Sequence, residues 1–287
     1  MTSAIHALID GIPSMGSYSP VMQEIEAVLG DPQSTLSSVG EVIEKDPDLT
    51  ARLLRLGNSS FFGFPNRLET VSETISLIGV QQVQDLISAS TVVKIFEGVS
   101  ADLVDMESFW KHSIACGVAG RILAIERRVS KPEKFFVVGL LHDIGRLVLY
   151  SRAAAKAKQV FERYQNDPVL LREAEMSVLG FDHTEIGEAL LRSWNFPPNL
   201  VNAVRYHHQP MSAGIFQMDA SLVHLADYMV NAMPMGSSGE RFVPPLNAKA
   251  WERLNLAPDF LETLMNGIDD QIFAVQQAFL TARTPSA

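Results

Sequence analysis

The sequence predicts an all-α protein, and three observations carry that prediction. Period-2 alternation of β-branched residues never lasts along the 287 residues, so strand signals are almost absent. Apolar residues recur instead at helical spacing over most of the chain. The interruptions fall at residues that start or stop helices, among them Asp46-Pro47, Gly57, Gly79, Pro197-Pro198 and Pro210.

Taken in order, Asp46 reads as an N-cap with Pro47 at the first helical position. The helix over residues 48–56 turns Leu49, Leu53 and Leu56 inward and stops at Gly57. A loop rich in Phe and Gly follows over residues 58–67. Its Phe61, Phe62 and Phe64 would suit protein contact, but the simpler reading is that they plug the seam between two helical parts. Helices are then expected over residues 71–78 and 80–96, separated by Gly79. Residues 98–105 form a polar connection. Residues 106–128 read as one long helix whose apolar stripe is Phe109, Cys116, Ala119 and Leu123, with His112 on the same stripe. After a polar turn containing Pro132, residues 135–141 are apolar on every face and predict a buried central helix. It runs directly into His142-Asp143, with Gly145 close behind. More helix is expected to about residue 163 and from 169 to 179. Asp182 and Glu185 are spaced as a capping box for a helix that starts near His183 and ends at Asn195. A short helix carrying Val201 and Val204 ends at His207-His208. Residues 219–232 turn Leu222, Val223, Ala226 and Val230 inward, with Asp227 on the apolar side. Residues 233–247 read as a flexible loop, and residues 251–265 and 269–282 as one or two last helices.

Composition limits the function classes. Lys and Arg number 23 against 33 Asp and Glu, a formal net charge of −10, and no dense basic run is present. That balance argues against direct nucleic-acid binding by general electrostatics and against docking on an anionic membrane. Apolar residues at 47% and charged residues at 20% mark a folded chain. A single cysteine, Cys116, excludes an intrachain disulfide framework and fits a reducing cytosol. No secretory signal and no membrane-spanning stretch is evident, so a cytoplasmic protein is expected.

The candidate site lies among the histidines and aspartates. Of the seven histidines, His112 sits on an apolar stripe, as does Asp227 among the carboxylates. A buried carboxylate needs a charge or a metal to offset its desolvation. His142-Asp143 ends a wholly apolar helix, and His207-His208 could both reach one ion from a frayed last turn. Singly, each has a plainer reading: a hydrogen-bonded core histidine, or an aspartate serving a neighbouring cap. As a set they suit Zn, Fe, Mn or Ni, with no thiolate-rich zinc pattern. Cys116 reads as a small core residue, and His6 and His224 lack spacing support. No phosphate-binding glycine loop, dinucleotide fingerprint or serine-nucleophile elbow is present.

The run Val137-Val138-Gly139-Leu140-Leu141-His142-Asp143-Ile144-Gly145-Arg146-Leu147 resembles the central motif of the HD phosphohydrolase superfamily. Asp46-Pro47-Asp48-Leu49, Asn58-Ser59-Ser60-Phe61-Phe62-Gly63 and the Val-Ser-Glu-Thr-Ile-Ser-Leu-Ile-Gly run ending at Gly79 narrow the resemblance to the HDOD domain, the HD-related output domain of bacterial signalling proteins. It covers roughly residues 15 to 235. The resemblance implies an HD-type helical core with an N-terminal helical subdomain. On this chain that gives an N-terminal helical part at 1–100, a core with the metal site at 101–235 and a C-terminal helical extension at 236–287. The ligand positions of metal-holding superfamily members match His112, His142, Asp143, His183, His207, His208 and Asp227. That filled set resembles the dinuclear HD-GYP phosphodiesterases. By analogy Asp143 would bridge two ions, His112, His142 and Asp227 would complete one position, and His183, His207 and His208 the other. Iron is the metal this resemblance favours, with Mn, Zn or Ni as alternatives. The chain departs from the HD-GYP pattern in three places: Arg146 where that family has Lys, Gln209-Pro210 in place of Gly-Tyr-Pro, and Ser108 where a third metal would need Glu.

The first function implied is a regulatory module that meets signalling proteins in trans. The second is a metal-dependent phosphohydrolase on a nucleotide such as a cyclic dinucleotide, with Arg146 as a phosphate contact. The third is a diiron oxidase.

Overall fold

The computed structural model describes residues 3–15, 19–31, 33–96, 99 and 103–280. Among them every regular element is helical, so the all-α expectation holds. In chain order the helices are α1 (Ser3–Ile9), α2 (Pro20–Gly30), α3 (Leu36–Glu44), α4 (Pro47–Gly57), α5 (Val71–Ile78), α6 (Val80–Ile95) and α7 (Met106–Glu126). There follow α8 (Lys134–Leu141), α9 (Ile144–Arg152), α10 (Ala154–Asn166), α11 (Leu171–Leu179), α12 (His183–Ser193) and α13 (Pro198–Tyr206). Two short 3₁₀ turns lead to α14 (Gln217–Asn231), α15 (Ala248–Leu254) and α16 (Pro258–Leu280). None of these helices is long and apolar enough to cross a membrane.

The chain divides into two compact units: Met1–Ile12 with Gly98–Leu264, and Pro13–Glu97 with Met265–Ala287. This corrects the three consecutive segments expected from sequence. The first helix belongs with the larger unit because α1 packs on α9 and α12, and the Arg152 guanidinium donates to the Asp10 carbonyl at 2.7 Å. The C-terminal segment is not one extension. α15 packs on α14 in the core unit, while Phe279 of α16 accepts from buried Arg52 of α4 at 3.1 Å in the other.

In the smaller unit, Asp46 caps α4 by accepting from the Leu49 amide at 3.0 Å. Thr70 and Glu73 form a capping box on α5, and Gly79 takes φ 96°, a left-handed-side value that lets the chain turn into α6. Ile25, Ile43, Leu53, Ile75, Val83 and Ile87 lie in one core, and Phe62 and Phe64 pack against it. The Phe loop therefore closes this unit's own core. Asn58 fixes the loop: its amide nitrogen donates to the Leu54 and Leu68 carbonyls, and its oxygen accepts from the Leu68 amide at 2.7 Å.

Three helix expectations change. The helix anticipated to residue 163 breaks at Ala153, where φ is −142°. The helix anticipated over 251–265 stops at Leu254, where Asn255 turns left-handed with φ 41°. Pro258 then starts α16, which runs on without the expected break before residue 269; its anticipated end at residue 282 lies outside the described residues.

Candidate metal centre

Two glycine crossings set the site. α8 is buried from Phe135 to Leu141 and packs on α7, and a Cβ on Gly139 would stand 2.6 Å from the Cys116 carbonyl carbon. A Cβ on Gly117 would meet the Phe136 carbonyl oxygen at 2.6 Å. Only backbone against backbone fits there, and this brings His142, at the end of α8, beside His112 and Cys116 of α7. Gly145 repeats the device between α9 and α12: its Cβ would run into the His183 carbonyl and lie 2.8 Å from the Gly187 amide. That crossing sets His183, the first residue of α12, beside Asp143. Asp182 caps α12 by accepting from the Thr184 and Glu185 amides at 3.0 and 3.3 Å. His207 and His208 follow directly on α13, and Asp227 stands on the buried face of α14.

All seven residues singled out from sequence converge in two groups. In the first, Asp227 Oδ1 lies 3.4 Å from both His112 Nε2 and His142 Nε2. In the second, Asp143 Oδ1 lies 3.1 Å from His183 Nε2 and 3.9 Å from His207 Nε2, while His208 Nε2 lies 3.2 Å from His183 Nε2. The groups are adjacent, for His142 Nε2 is 3.3 Å from Asp143 Oδ2. His112, His142, His183 and His207 are fully buried, and His208 is half-buried. Cys116 joins the first group, its Sγ 3.6 Å from His112 Nε2. Its placement in the core was expected; its place beside the ligand-type atoms was not.

Three rings have their tautomer fixed from outside. A carbonyl only accepts, so Nδ1–H of His142 donates to Gly139 O at 2.6 Å and Nδ1–H of His207 to Val204 O at 2.8 Å. His183 Nδ1–H donates to Glu175 Oε2 at 2.6 Å. On the neutral ring each Nε2 is then the lone-pair nitrogen, aimed inward, the arrangement in which histidine binds metal. His142 Nε2, His207 Nε2 and Asp143 Oδ1 are buried without a hydrogen-bond partner. Buried polar atoms are rarely left so, and inward lone pairs beside carboxylates fit a cation.

The two aspartates attract positive charge, whether a metal ion or a proton on His142 and His183. Burial opposes charge on Asp143, yet Arg146, His142 and His183 hold its carboxyl well below the usual range. Burial likewise opposes charge on Asp227, and the neighbouring His112 and His142 hold it well below. Burial disfavours the charged form of His142, but Asp143 and Asp227 raise it to about 10. His183 rises to about 9, Glu175 and Asp143 outweighing its burial and Arg146. Burial and the neighbouring His142 push His207 down to about 3, and burial with His207 and His183 pushes His208 well below its ordinary value. Burial and the two aspartates raise the Cys116 thiol well above its usual range.

Arg146 departs from expectation. Its side chain is 1% exposed and reaches Asp143 Oδ2 at 3.0 Å, Glu175 Oε1 at 3.3 Å and Glu240 Oε1 at 2.7 Å, and it also donates to Ser238 Oγ. A guanidinium so engaged is no free phosphate contact; it braces the aspartate. Sequence reasoning missed these partners. Glu175 resembles a solvated helix position beside Glu173, and Ser238 and Glu240 sit in a Gly/Ser loop of ordinary surface composition. His224, set aside from sequence, supports the site from behind: its Nε2 accepts from the Asn247 amide at 2.9 Å, and its Nδ1–H donates to the His207 carbonyl at 2.8 Å.

Residues 15–210 match the profile of the HDOD domain. The chain is 24% identical to the "putative phosphohydrolase" of Shewanella amazonensis SB2B, whose crystal structure it matches with TM-score 0.75 over 97% of this chain and 98% of that one. An HDOD domain protein of unknown function from Geobacter sulfurreducens matches at 20% identity and TM-score 0.75, over 96% of this chain and 98% of that one. A "putative metal-dependent phosphohydrolase" from Shewanella amazonensis SB2B matches at 19% identity and TM-score 0.66, over 97% of this chain and all of that one. At these identities the likeness is one of fold. An uncharacterized protein of Treponema pallidum (strain Nichols) is 27% identical over 213 residues, 72% of this chain, and the match spans only 40% of that relative's length. With well over half its length matched by the family profile, the chain belongs to the HDOD domain family.

Proposed function

We propose that the chain is a signal-transduction HDOD protein, working in the cytoplasm through regulatory contacts with signalling proteins in trans, and that its core holds one or two divalent transition-metal ions. His112, His142 and Asp227 hold one position. His183, His207, His208 and Asp143 hold the other, with Asp143 facing both. Iron is the first candidate, with Mn, Zn and Ni behind it. One observation carries the regulatory reading: the ligand residues other than half-buried His208 are buried, and the cation beside them is already bound to three carboxylates. A phosphodiester site needs the reverse, an accessible metal with a free cation for developing charge.

The second reading, a metal-dependent phosphohydrolase, is favoured by the adjacency of the two ligand groups and by the names of the two Shewanella proteins. A metal pair there would supply Lewis acidity toward a phosphoryl oxygen. The test is metal analysis of protein purified without chelators, with hydrolysis assays on cyclic dinucleotides and on a bis-aryl phosphate, for wild type and Asp143→Ala. Expected are a metal-loaded, inactive wild type and a metal-depleted variant. Hydrolysis that disappears in Asp143→Ala would transfer the case to the phosphohydrolase, and a folded, metal-free wild type would remove the metal centre.

A further inference from the structure

We infer that Cys116 is, as its thiolate, a ligand of the first metal position, so that the two positions are chemically unequal. One then offers sulfur, two imidazoles and a carboxylate; the other offers imidazoles and a carboxylate only. The inference rests on the metal reading above and deepens it.

His112 and Cys116 are four residues apart on α7, so their side chains share one face of the helix. Both are fully buried. Metal bonds of about 2.3 Å to sulfur and about 2.0–2.2 Å to nitrogen and oxygen set tetrahedral ligand atoms about 3.5–3.6 Å apart for S···N and about 3.3–3.5 Å apart for N···O. The Cys116 Sγ to His112 Nε2 separation is 3.6 Å, and Asp227 Oδ1 lies 3.4 Å from each of the two imidazole nitrogens. The four ligand-type atoms all lie within 4.8 Å of one another.

A second observation is independent of the cysteine. His142 Nε2 is buried, lacks a hydrogen-bond partner and points into this group, while its Nδ1–H is committed to Gly139 O. Asp227 Oδ1 accepts from the Asn231 side-chain amide at 2.7 Å, yet with both imidazoles and the sulfur the group still presents more lone pairs than the thiol proton and one His112 N–H can satisfy. A divalent ion satisfies them together: the Sγ lone pair bonds to the metal, the thiol proton leaves to solvent, and no electrons are transferred. Packing alone does not require sulfur here, because the tight crossing at Gly139 presses on the Cys116 backbone and not on its side chain. A soft donor biases this position toward zinc or ferrous iron and away from manganese and magnesium.

The experiment titrates the full chain, stripped of metal by chelator and dialysis, with Co²⁺ and reads the absorption spectrum. A thiolate-to-cobalt charge-transfer band in the near ultraviolet is expected for wild type. It should vanish in Cys116→Ser, while the visible ligand-field bands of cobalt held by nitrogen and oxygen remain. Should Cys116→Ser not fold, X-ray absorption on zinc-loaded wild type decides alone: a sulfur neighbour at about 2.3 Å is expected. Metal uptake with only nitrogen and oxygen neighbours, or without the charge-transfer band, overturns this inference and leaves the metal centre standing. No uptake of either ion overturns both.

Discussion

Arg146 is buried with Asp143, Glu175 and Glu240 around it, one positive charge among three carboxylates. With all three acids ionised that group carries a net charge of −2, directly behind the ligand histidines. Desolvating a guanidinium costs several kcal/mol, and three charge-assisted partners offset it only while all are in place. Arg146→Ala should therefore destabilise the core unit by about 3–5 kcal/mol, because it strands buried carboxylates. Arg146→Lys should cost less than Arg146→Ala, yet more than a conservative exchange would, since one ammonium cannot reach three acids in fork geometry. Thermal melts of both variants check the ranking. If Arg146→Ala melts with wild type while losing an enzymatic activity, the residue is a substrate contact after all.

At the scale of elements, the site is held by helix crossings that tolerate no side chain. Gly145→Ala has to push α9 from α12 and should cost about 1–3 kcal/mol or more. It should also lower the metal content selectively, because His183 leaves Asp143; a variant with full metal content would show that the crossing relaxes elsewhere. The start of α12 gives a pH-dependent test. Burial opposes charge on Asp182, but His183, Thr184 and Arg172 hold its carboxyl well below the ordinary range. Its folded value lies below the unfolded one of about 3.9, so its contribution is present above that pH and lost as the pH falls through the folded value. Asp182→Asn should cost about 1–2 kcal/mol at pH 7, and the gap to wild type should shrink in melts below about pH 4. A gap that does not change with pH would assign the loss to hydrogen bonding alone. Such caps were legible because Asp, Thr, Gly and Pro act locally: α4, α5 and α12 begin where their sequences say. The break at Ala153 was not legible, since nothing in the Arg-Ala-Ala-Ala run disfavours helix and only the packing of α9 and α10 in different directions divides them. α2 and α3 also open on such signals, Ser19-Pro20 and the Thr35 cap, although the helices expected from sequence begin only at Asp46.

Across the whole molecule, the site was visible where chemistry conflicted with burial. His112 and Asp227 stood out because ionisable groups on apolar helix faces need an explanation, and the His142-Asp143 pair because it ends a helix apolar all round. Glu175, Ser238 and Glu240 carried no such conflict, being polar residues in polar segments that the tertiary fold alone folds inward. The ligands all lie in the unit formed by Met1–Ile12 and Gly98–Leu264, and so do the chain's three tryptophans, Trp110, Trp194 and Trp251. Tryptophan fluorescence thus reports the unit that carries the candidate metal centre, while helical circular dichroism reports both units. An ion bound to the folded state at 100 times its dissociation constant stabilises it by about 2.7 kcal/mol. For a unit of this size that is a shift in Tm on the order of 5–10 °C. Removing the metal by chelator should therefore lower the fluorescence transition by roughly that amount. The share of the circular dichroism amplitude arising from α2 to α6, which carry no ligand, should move less. Re-adding the ion should restore the fluorescence transition in wild type and fail to restore it in Asp143→Ala. A fluorescence transition indifferent to chelator would mean that protons on His142 and His183, and not metal, balance the buried carboxylates.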